Sequence, residues 1–255
     1  MLADLLPVPT GPLTIPETAD ATVYLSLVIP TYREAQNIEA LLVRLTRLLE
    51  ATLSGTFELI VVDDDSPDFT WKLAQDLTAD YPHLRVMRRT DERGLATAVV
   101  RGWQASRGQL LGVIDGDLQH PPENMLKLLA AAGQGADLAV ASRHTEGGGV
   151  STWSLTRRLV SRGAQLVGLV VLPSVVGRVS DPMSGFFVVR RACLAGKPLS
   201  PLGYKILLEV LGRGDIHTIR EVGYVFEERT QGESKVTLRQ YGEYLLHLLR
   251  LRLAR

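Results

Sequence analysis

Four short apolar runs in the first 142 residues each break off into a polar cluster, and this constrains the chain more than any other feature. Tyr24–Ile29 (YLSLVI) stops at Pro30 and is followed by Tyr32 and Glu34. Phe57–Val62 (FELIVV) runs into Asp63, Asp64 and Asp65, and Gln109–Ile114 (QLLGVI) into Asp115, Gly116 and Asp117. Ala136–Ala141 leads to Arg143. Continuous apolar runs of this length predict strands buried on both faces. Leu84–Arg88 adds a further predicted strand. Between these strands, Ile38, Leu41, Leu42, Leu45, Leu48 and Leu49 recur at helical spacing. Further helices are expected over Trp71–Ala79, over Gly94–Ser106, and from Pro121 and Pro122 to about Ala132, prolines being at home in a first turn. Alternating strands and helices imply an α/β fold with a mostly parallel sheet covered on both faces. In such sheets ligands bind beyond the carboxyl ends of the strands. The polar clusters therefore converge on one edge.

The chain is long enough for one generous α/β domain, with 255 residues of which 45% are apolar. Lys+Arg and Asp+Glu both number 28, so no overall charge draws in nucleic acid, and any anion site must be local. The single Cys193 excludes an intrachain disulfide and a cysteine-rich zinc site, and it reads as a small packed hydrophobe. No apolar stretch reaches membrane-spanning length. Residues 1–20 carry Pro7, Pro9, Pro12 and Pro16 but no positive leading region, and are expected to be an extended or disordered leader.

The second half changes character. Residues 151–180 hold four arginines (157, 158, 162 and 178), no acid, and the apolar stretch Leu166–Val176. The tail from Arg229 has six basic residues, two acidic ones and a leucine-rich helical pattern over Leu245–Leu253. Both compositions suit helices lying on a membrane surface. They also suit core-packing helices with a solvated basic edge, and His247 is expected on the solvated side of the tail helix.

Asp115-Gly116-Asp117 puts two carboxylates on a tight turn after a strand, a donor set for a hard divalent cation, and Gln119 can add an oxygen. Adjacent carboxylates at Asp63–Asp65 are costly unless they meet a metal, hydrogen-bond donors or a base edge. Pro30–Glu34 offers an aromatic face and a carboxylate to a nucleoside, or is simply a strand-to-helix turn. Arg143, Arg157, Arg229 and Lys235 are candidate phosphate ligands, with Gly232 and Ser234 suggesting a flexible loop that closes over an anion. No nucleophile triad is evident, and neither a Gly-x-Gly-x-x-Gly nor a Walker loop is present.

LVIPTYREAQNI, ELIVVDDDSPDFTW, GLATAVVRGW, DGDLQHPPE, SRH, DPMSGFF, GYKILLEVL and FEERTQGESK follow one another over residues 24–240. In that order they resemble the dolichol- or polyprenol-phosphate mannose synthases, inverting family-2 glycosyltransferases of the GT-A fold. The resemblance implies a catalytic domain over 21–237, with an acceptor loop and amphipathic helices in 151–180, and a basic amphipathic helix over 238–255. It implies that Pro30, Tyr32, Glu34, Val62, Asp63 and Asp64 hold the nucleoside, and that Asp115, Asp117 and Gln119 hold magnesium or manganese on the diphosphate. Arg143, Arg157, Ser161, Arg229, Ser234 and Lys235 would bind the acceptor phosphate. Asp117, Arg143, Arg229 and Lys235 would carry the catalytic load.

The reaction so implied moves mannose from GDP-mannose to dolichyl or polyprenyl phosphate at the cytosolic face of a membrane. UDP-glucose or another sugar nucleotide is the nearest alternative donor, and a catalytically silent sugar-nucleotide-binding scaffold is the alternative from another class. The chain is expected to be cytoplasmic and peripheral to the membrane. Working with a small membrane-anchoring subunit, or preceding an anchor, stays open at this point. Four positions depart from the family's habit: Arg33 stands where Asn is common, Phe69 and Ala96 where Gly is, and Gly116 where Ala is.

Overall fold

The computed structural model describes residues 5–151, 163, 165–228 and 238–253, with backbone alone over 238–241. Its centre is a seven-stranded sheet in the order β3-β2-β1-β4-β7-β5-β8. The strands are β1 (Leu25–Thr31), β2 (Phe57–Asp63), β3 (Leu84–Arg88), β4 (Leu110–Val113), β5 (Leu138–Ser142), β7 (Phe187–Arg190) and β8 (Ile219–Gly223). A two-stranded parallel ribbon pairs β6 (Gly149–Val150) with β9 (Val225–Phe226). Helices α1 (Ile38–Leu53), α2 (Thr70–Asp76), α3 (Leu95–Gln104) and α4 (Asn124–Gly133) connect the early strands. The helices α5 (Pro173–Val176), α6 (Ile206–Arg213) and α7 (Leu238–Leu253) follow.

The five strands expected from the apolar runs are present, and β1, β2, β3 and β4 pair in parallel. Two strands of the large sheet, and both strands of the small ribbon, are not among those expected. β7 is antiparallel to both β4 and β5, and β8 runs parallel to β5. Because β7 intervenes, β4 and β5 point the same way. The carboxyl ends of β1, β2, β4 and β5 therefore share one edge. The expected 71–79 helix divides into α2 and a 3₁₀ turn at Leu77–Ala79.

Two apolar layers sandwich the sheet. On one side α1 buries Ile38, Leu41, Leu42, Leu45 and Leu49, together with Met125, Leu128 and Leu129 of α4. On the other, α3 packs so closely that a Cβ at Gly102 would lie 2.7 Å from Val28 and 3.0 Å from Val62. Cys193 is buried in this second layer, and burial pushes its thiol up to about 11. Residues 5–16 run extended along the flank of the domain. The Leu6 N–H donates to Val86 O at 2.7 Å, covering part of the β3 edge, and Ile15 is fully buried. Arg101, Gln104 and Arg191 bind the carbonyls of Gly11, Pro12 and Pro16.

His247 is not on a solvated face. It is buried, and its Nε2 lies 2.7 Å from Glu209 Oε2 of α6. The 3.6-residue period explains this. Tyr244, His247, Leu248 and Leu251 form the inward stripe of α7, leaving Leu245, Leu246, Leu249 and Leu253 exposed. The stretch Leu166–Val176 is likewise shared between the two expectations: Leu172, Val175 and Val176 enter the core, whereas Leu166, Val167 and Val170 face outward.

Candidate active site

The loops at the shared sheet edge touch one another motif by motif. Asp63, fully buried at the end of β2, accepts hydrogen bonds from Thr31 Oγ1 (2.7 Å), Ser66 N (2.8 Å) and Ser66 Oγ (2.7 Å). This latches the β1 and β2 loops together. Burial pushes the Asp63 carboxyl up, against the pull of these donors. Asp64 accepts from Arg89 Nε at 2.7 Å and from the Gly94 N–H at 2.7 Å. Asp65 accepts from Arg88 Nε at 2.7 Å. The expected repulsion in Asp63–Asp65 is thus relieved by donors and two guanidiniums. Arg89, buried and unsuspected from sequence, is the principal partner.

The Pro30–Glu34 loop lies directly on the acidic turn. A Cβ at Gly116 would stand 3.1 Å from Thr31 Cγ2 and 3.5 Å from Glu34 Cγ. Glu34 is buried, and its Oε2 accepts from Asn37 Nδ2 at 2.9 Å. Tyr32 is flanked by two guanidiniums, Arg33 at 5.4 Å and Arg93 at 5.8 Å from the ring centroid. Pro30 and Val62 are register partners inside the sheet, and the Val62 side chain packs in the core beneath α3.

Backbone strain gathers here. Arg33 (φ 58), Asp65 (φ 54), Phe69 (φ 59) and Leu118 (φ 60) are left-handed non-glycine residues, all in loops after β1, β2 and β4. Each such residue costs of order 1–3 kcal/mol and persists where the surroundings enforce it.

Asp115 lies against the Gly185 backbone, where a Cβ would come within 2.8 Å of Oδ2 and 3.2 Å of Oδ1. Only glycine permits this approach. Asp115 Oδ2 lies 3.3 Å from His120 Nε2, while Oδ1 is buried with no hydrogen-bond partner among the described residues. Asp117, also buried, accepts the Gln119 N–H at 3.1 Å through Oδ1. Gln119 Nε2 donates to Glu227 O (3.0 Å), and the Gln119 main-chain carbonyl accepts from the Glu227 N–H (2.9 Å), tying the segment at Glu227 to the turn.

Among the described residues no group of three His, Cys, Asp or Glu stands ready to enclose a metal. An orphaned carboxylate oxygen beside a second carboxylate still fits a hard cation that draws its other ligands from a diphosphate and water.

Arg143, at the end of β5, is gripped by Asp181, with Nε to Oδ2 at 2.6 Å and Nη2 to Oδ1 at 2.7 Å. Burial alone would raise the Asp181 carboxyl, but the bonds from Arg143 outweigh it and hold the group below its usual value. Asp181 and Gly185 belong to the same short loop, so one segment supports both Arg143 and Asp115. Lys205 joins this cluster, donating to Met183 O at 2.9 Å. Loss of solvent, with Arg143 near, pulls its ammonium down to about 8, against Asp115 and Asp181.

Asp181 and Lys205 lie within recognisable motifs, DPMSGFF and GYKILLEVL, yet nothing local marks them as site residues. Arg157, Ser161, Arg229, Ser234 and Lys235 lie outside the described residues.

The family model for glycosyl transferase family 2 matches residues 26–192. A dolichol-phosphate mannosyltransferase from Pyrococcus furiosus is 44% identical over 89% of this chain, which spans 63% of that relative's length. A dolichol-phosphate mannosyltransferase from Mycosarcoma maydis is 36% identical over 89% of this chain and 78% of its own. In fold, the chain is similar to glucosyl-3-phosphoglycerate synthase from Mycobacterium tuberculosis, crystallised with Mn2+, UDP-glucose and phosphoglyceric acid. That comparison has a TM-score of 0.64 at 23% identity and covers 91% of this chain and 79% of the other. With the GT-A architecture, the clustered motifs and these relatives together, the chain belongs to glycosyl transferase family 2, among the dolichol-phosphate mannosyltransferases.

Proposed function

We propose that the protein transfers mannose from GDP-mannose to dolichyl or polyprenyl phosphate, inverting the anomeric centre, at the cytosolic face of a membrane. The observation that carries this reading is the loop Asp181–Gly185, which supports Asp115 at one end and Arg143 at the other. An acidic turn suited to a cation-bearing diphosphate thus lies next to a buried guanidinium suited to a phosphate. The named activity of the relatives supplies the substrate class.

The chemistry follows from charge. A lipid monophosphate is already a nucleophile, so no strong general base is required. Its oxygen attacks the anomeric carbon opposite the departing GDP, and one displacement inverts the centre. A divalent cation, magnesium or manganese, held by Asp115 and Asp117 with Gln119 beside them, would offset charge on the leaving diphosphate. Tyr32, Glu34 and Asp64 would meet the nucleoside, with Asp63 and the sheet residues Pro30 and Val62 supporting them from behind. Arg143, joined by Arg157, Ser161, Arg229, Ser234 and Lys235, orients the acceptor phosphate. In this reading 21–237 is the catalytic domain, 151–180 its acceptor region, and 238–255 a surface helix.

The lipid substrate gives the outward apolar side chains a purpose. Leu166, Val167 and Val170 are exposed on one segment and Leu245, Leu246, Leu249 and Leu253 on α7, and Arg252 Nη1 donates to Val171 O at 3.0 Å, joining the two segments. With Arg250 and Arg252 at its end, α7 suits an anionic bilayer surface. No helix among the described residues is long and apolar enough to cross a membrane. A small anchoring subunit remains a partner compatible with this surface.

Calorimetric titration with GDP-mannose and with UDP-glucose, each with and without Mn2+, tests the donor. Cation-dependent preference for GDP-mannose is expected. Preference for UDP-glucose overturns the donor assignment, and binding of neither overturns the enzymatic reading.

A further inference from the structure

We infer that His120 is the positioning residue of the acidic turn, donating from Nε2 to Asp115 Oδ2 so that Oδ1 alone is presented to the cation. The inference rests on the reading of Asp115 and Asp117 as cation ligands. Four observations carry it. His120 is 3% exposed. Its ring is held by three aromatic neighbours: it stacks on Tyr224 (centroids 5.4 Å apart, 27°) and meets Phe186 (5.5 Å) and Phe226 (5.1 Å) edge-on. Its Nε2 lies 3.3 Å from Asp115 Oδ2, at the long end of hydrogen-bond range. Finally, Asp115 Oδ1 and His120 Nδ1 are both buried without partners among the described residues.

A carboxylate on a turn rotates about its last bond unless something holds it. A side chain at position 185 would displace the Asp115 carboxylate, and glycine leaves it room. The imidazole holds Oδ2, and its own tilt is fixed by the aromatic box. An N–H on Nε2 faces Asp115 and leaves the buried Nδ1 as a bare acceptor. Such outer partners fix the geometry of ligating carboxylates, and losing one costs about 10–100-fold in metal affinity. A histidine that merely packs would be replaceable by another ring.

The test is titration of Mn2+ into the 255-residue chain with GDP present, reading free Mn2+ by its spin-resonance signal. His120→Phe keeps the box filled and removes the donor. His120→Met is a second donor-less variant should the first fail to fold, and His120→Gln restores an N–H at similar reach. The expected result is Mn2+ binding weakened about 10–100-fold in the donor-less variant, with recovery in His120→Gln. GDP affinity without Mn2+ is expected to be unchanged. Wild-type Mn2+ affinity in a folded donor-less variant overturns the role of His120 and leaves the cation site standing. Wild-type protein that takes up no Mn2+ with GDP overturns the cation site itself, and this inference with it.

Discussion

Arg143 meets Asp181 through two parallel hydrogen bonds, and Asp181 also accepts the Arg143 backbone N–H at 3.2 Å. Both side chains are buried, so each neutralises a charge the other could not carry alone. Asp181→Ala strands the guanidinium. It is expected to destabilise the protein by about 3–5 kcal/mol, as urea denaturation would measure. A loss below about 1 kcal/mol would mean that Arg143 finds other support.

The same pair sets a pH dependence. The carboxyl of Asp181 is held below its unfolded value, so the unfolded chain binds the proton more readily. Its contribution is fully present above the unfolded carboxyl value and is lost as pH falls through the folded one. The stability gap between wild type and Asp181→Asn is therefore expected to be constant above about pH 5 and to narrow below about pH 4. Melting curves across this range check it, and a gap that widens on acidification contradicts it.

Phe69 is 63% exposed and sits at φ 59. A side chain there costs about 1–2 kcal/mol, against the roughly 0.5–1 kcal/mol of unfolded-state entropy that glycine brings. Phe69→Gly is expected to stabilise the fold by up to about 1 kcal/mol in thermal or urea unfolding. Destabilisation would show that the exposed ring makes a contact worth more than the strain.

Because α7 buries Leu248 and Leu251 in the core, deleting it would damage the domain rather than test its outer face. Leu245→Glu with Leu249→Glu changes only exposed positions. Liposome co-sedimentation on anionic vesicles is expected to fall at least about tenfold, with stability within about 0.5 kcal/mol of wild type. Unchanged sedimentation would remove α7 from the membrane surface.

Asp117 accepts the nearby Gln119 N–H, so Asp117→Ala is expected to cost about 1 kcal/mol of stability. Transfer is expected to fall at least about a hundredfold, through loss of a cation ligand. Turnover near wild type would exclude Asp117 from the site.

Much of this was legible in the sequence. Parallel buried strands announce themselves as unbroken apolar runs, and the polar residues after them had to share an edge. β7 was hidden because its run is only Phe187–Arg190, and antiparallel insertion between β4 and β5 leaves no local trace. The family's Asn and Gly habits at Arg33 and Phe69 acquire a physical reason, since both positions are left-handed. Arg89, Asp181 and Lys205 stayed invisible because their roles come from long-range pairing. His247 was misplaced because the tail reads as leucine-rich all round, and a partner at Glu209 decides which face turns inward.

The central claim is tested most directly by incubating the purified protein with labelled GDP-mannose, Mn2+ and polyprenyl phosphate in vesicles, and assigning the anomer of the lipid product by NMR. The account predicts a β-linked mannosyl phosphate lipid that is lost in Asp117→Ala. A product of retained configuration, or a lipid product formed from UDP-glucose and not from GDP-mannose, would contradict it.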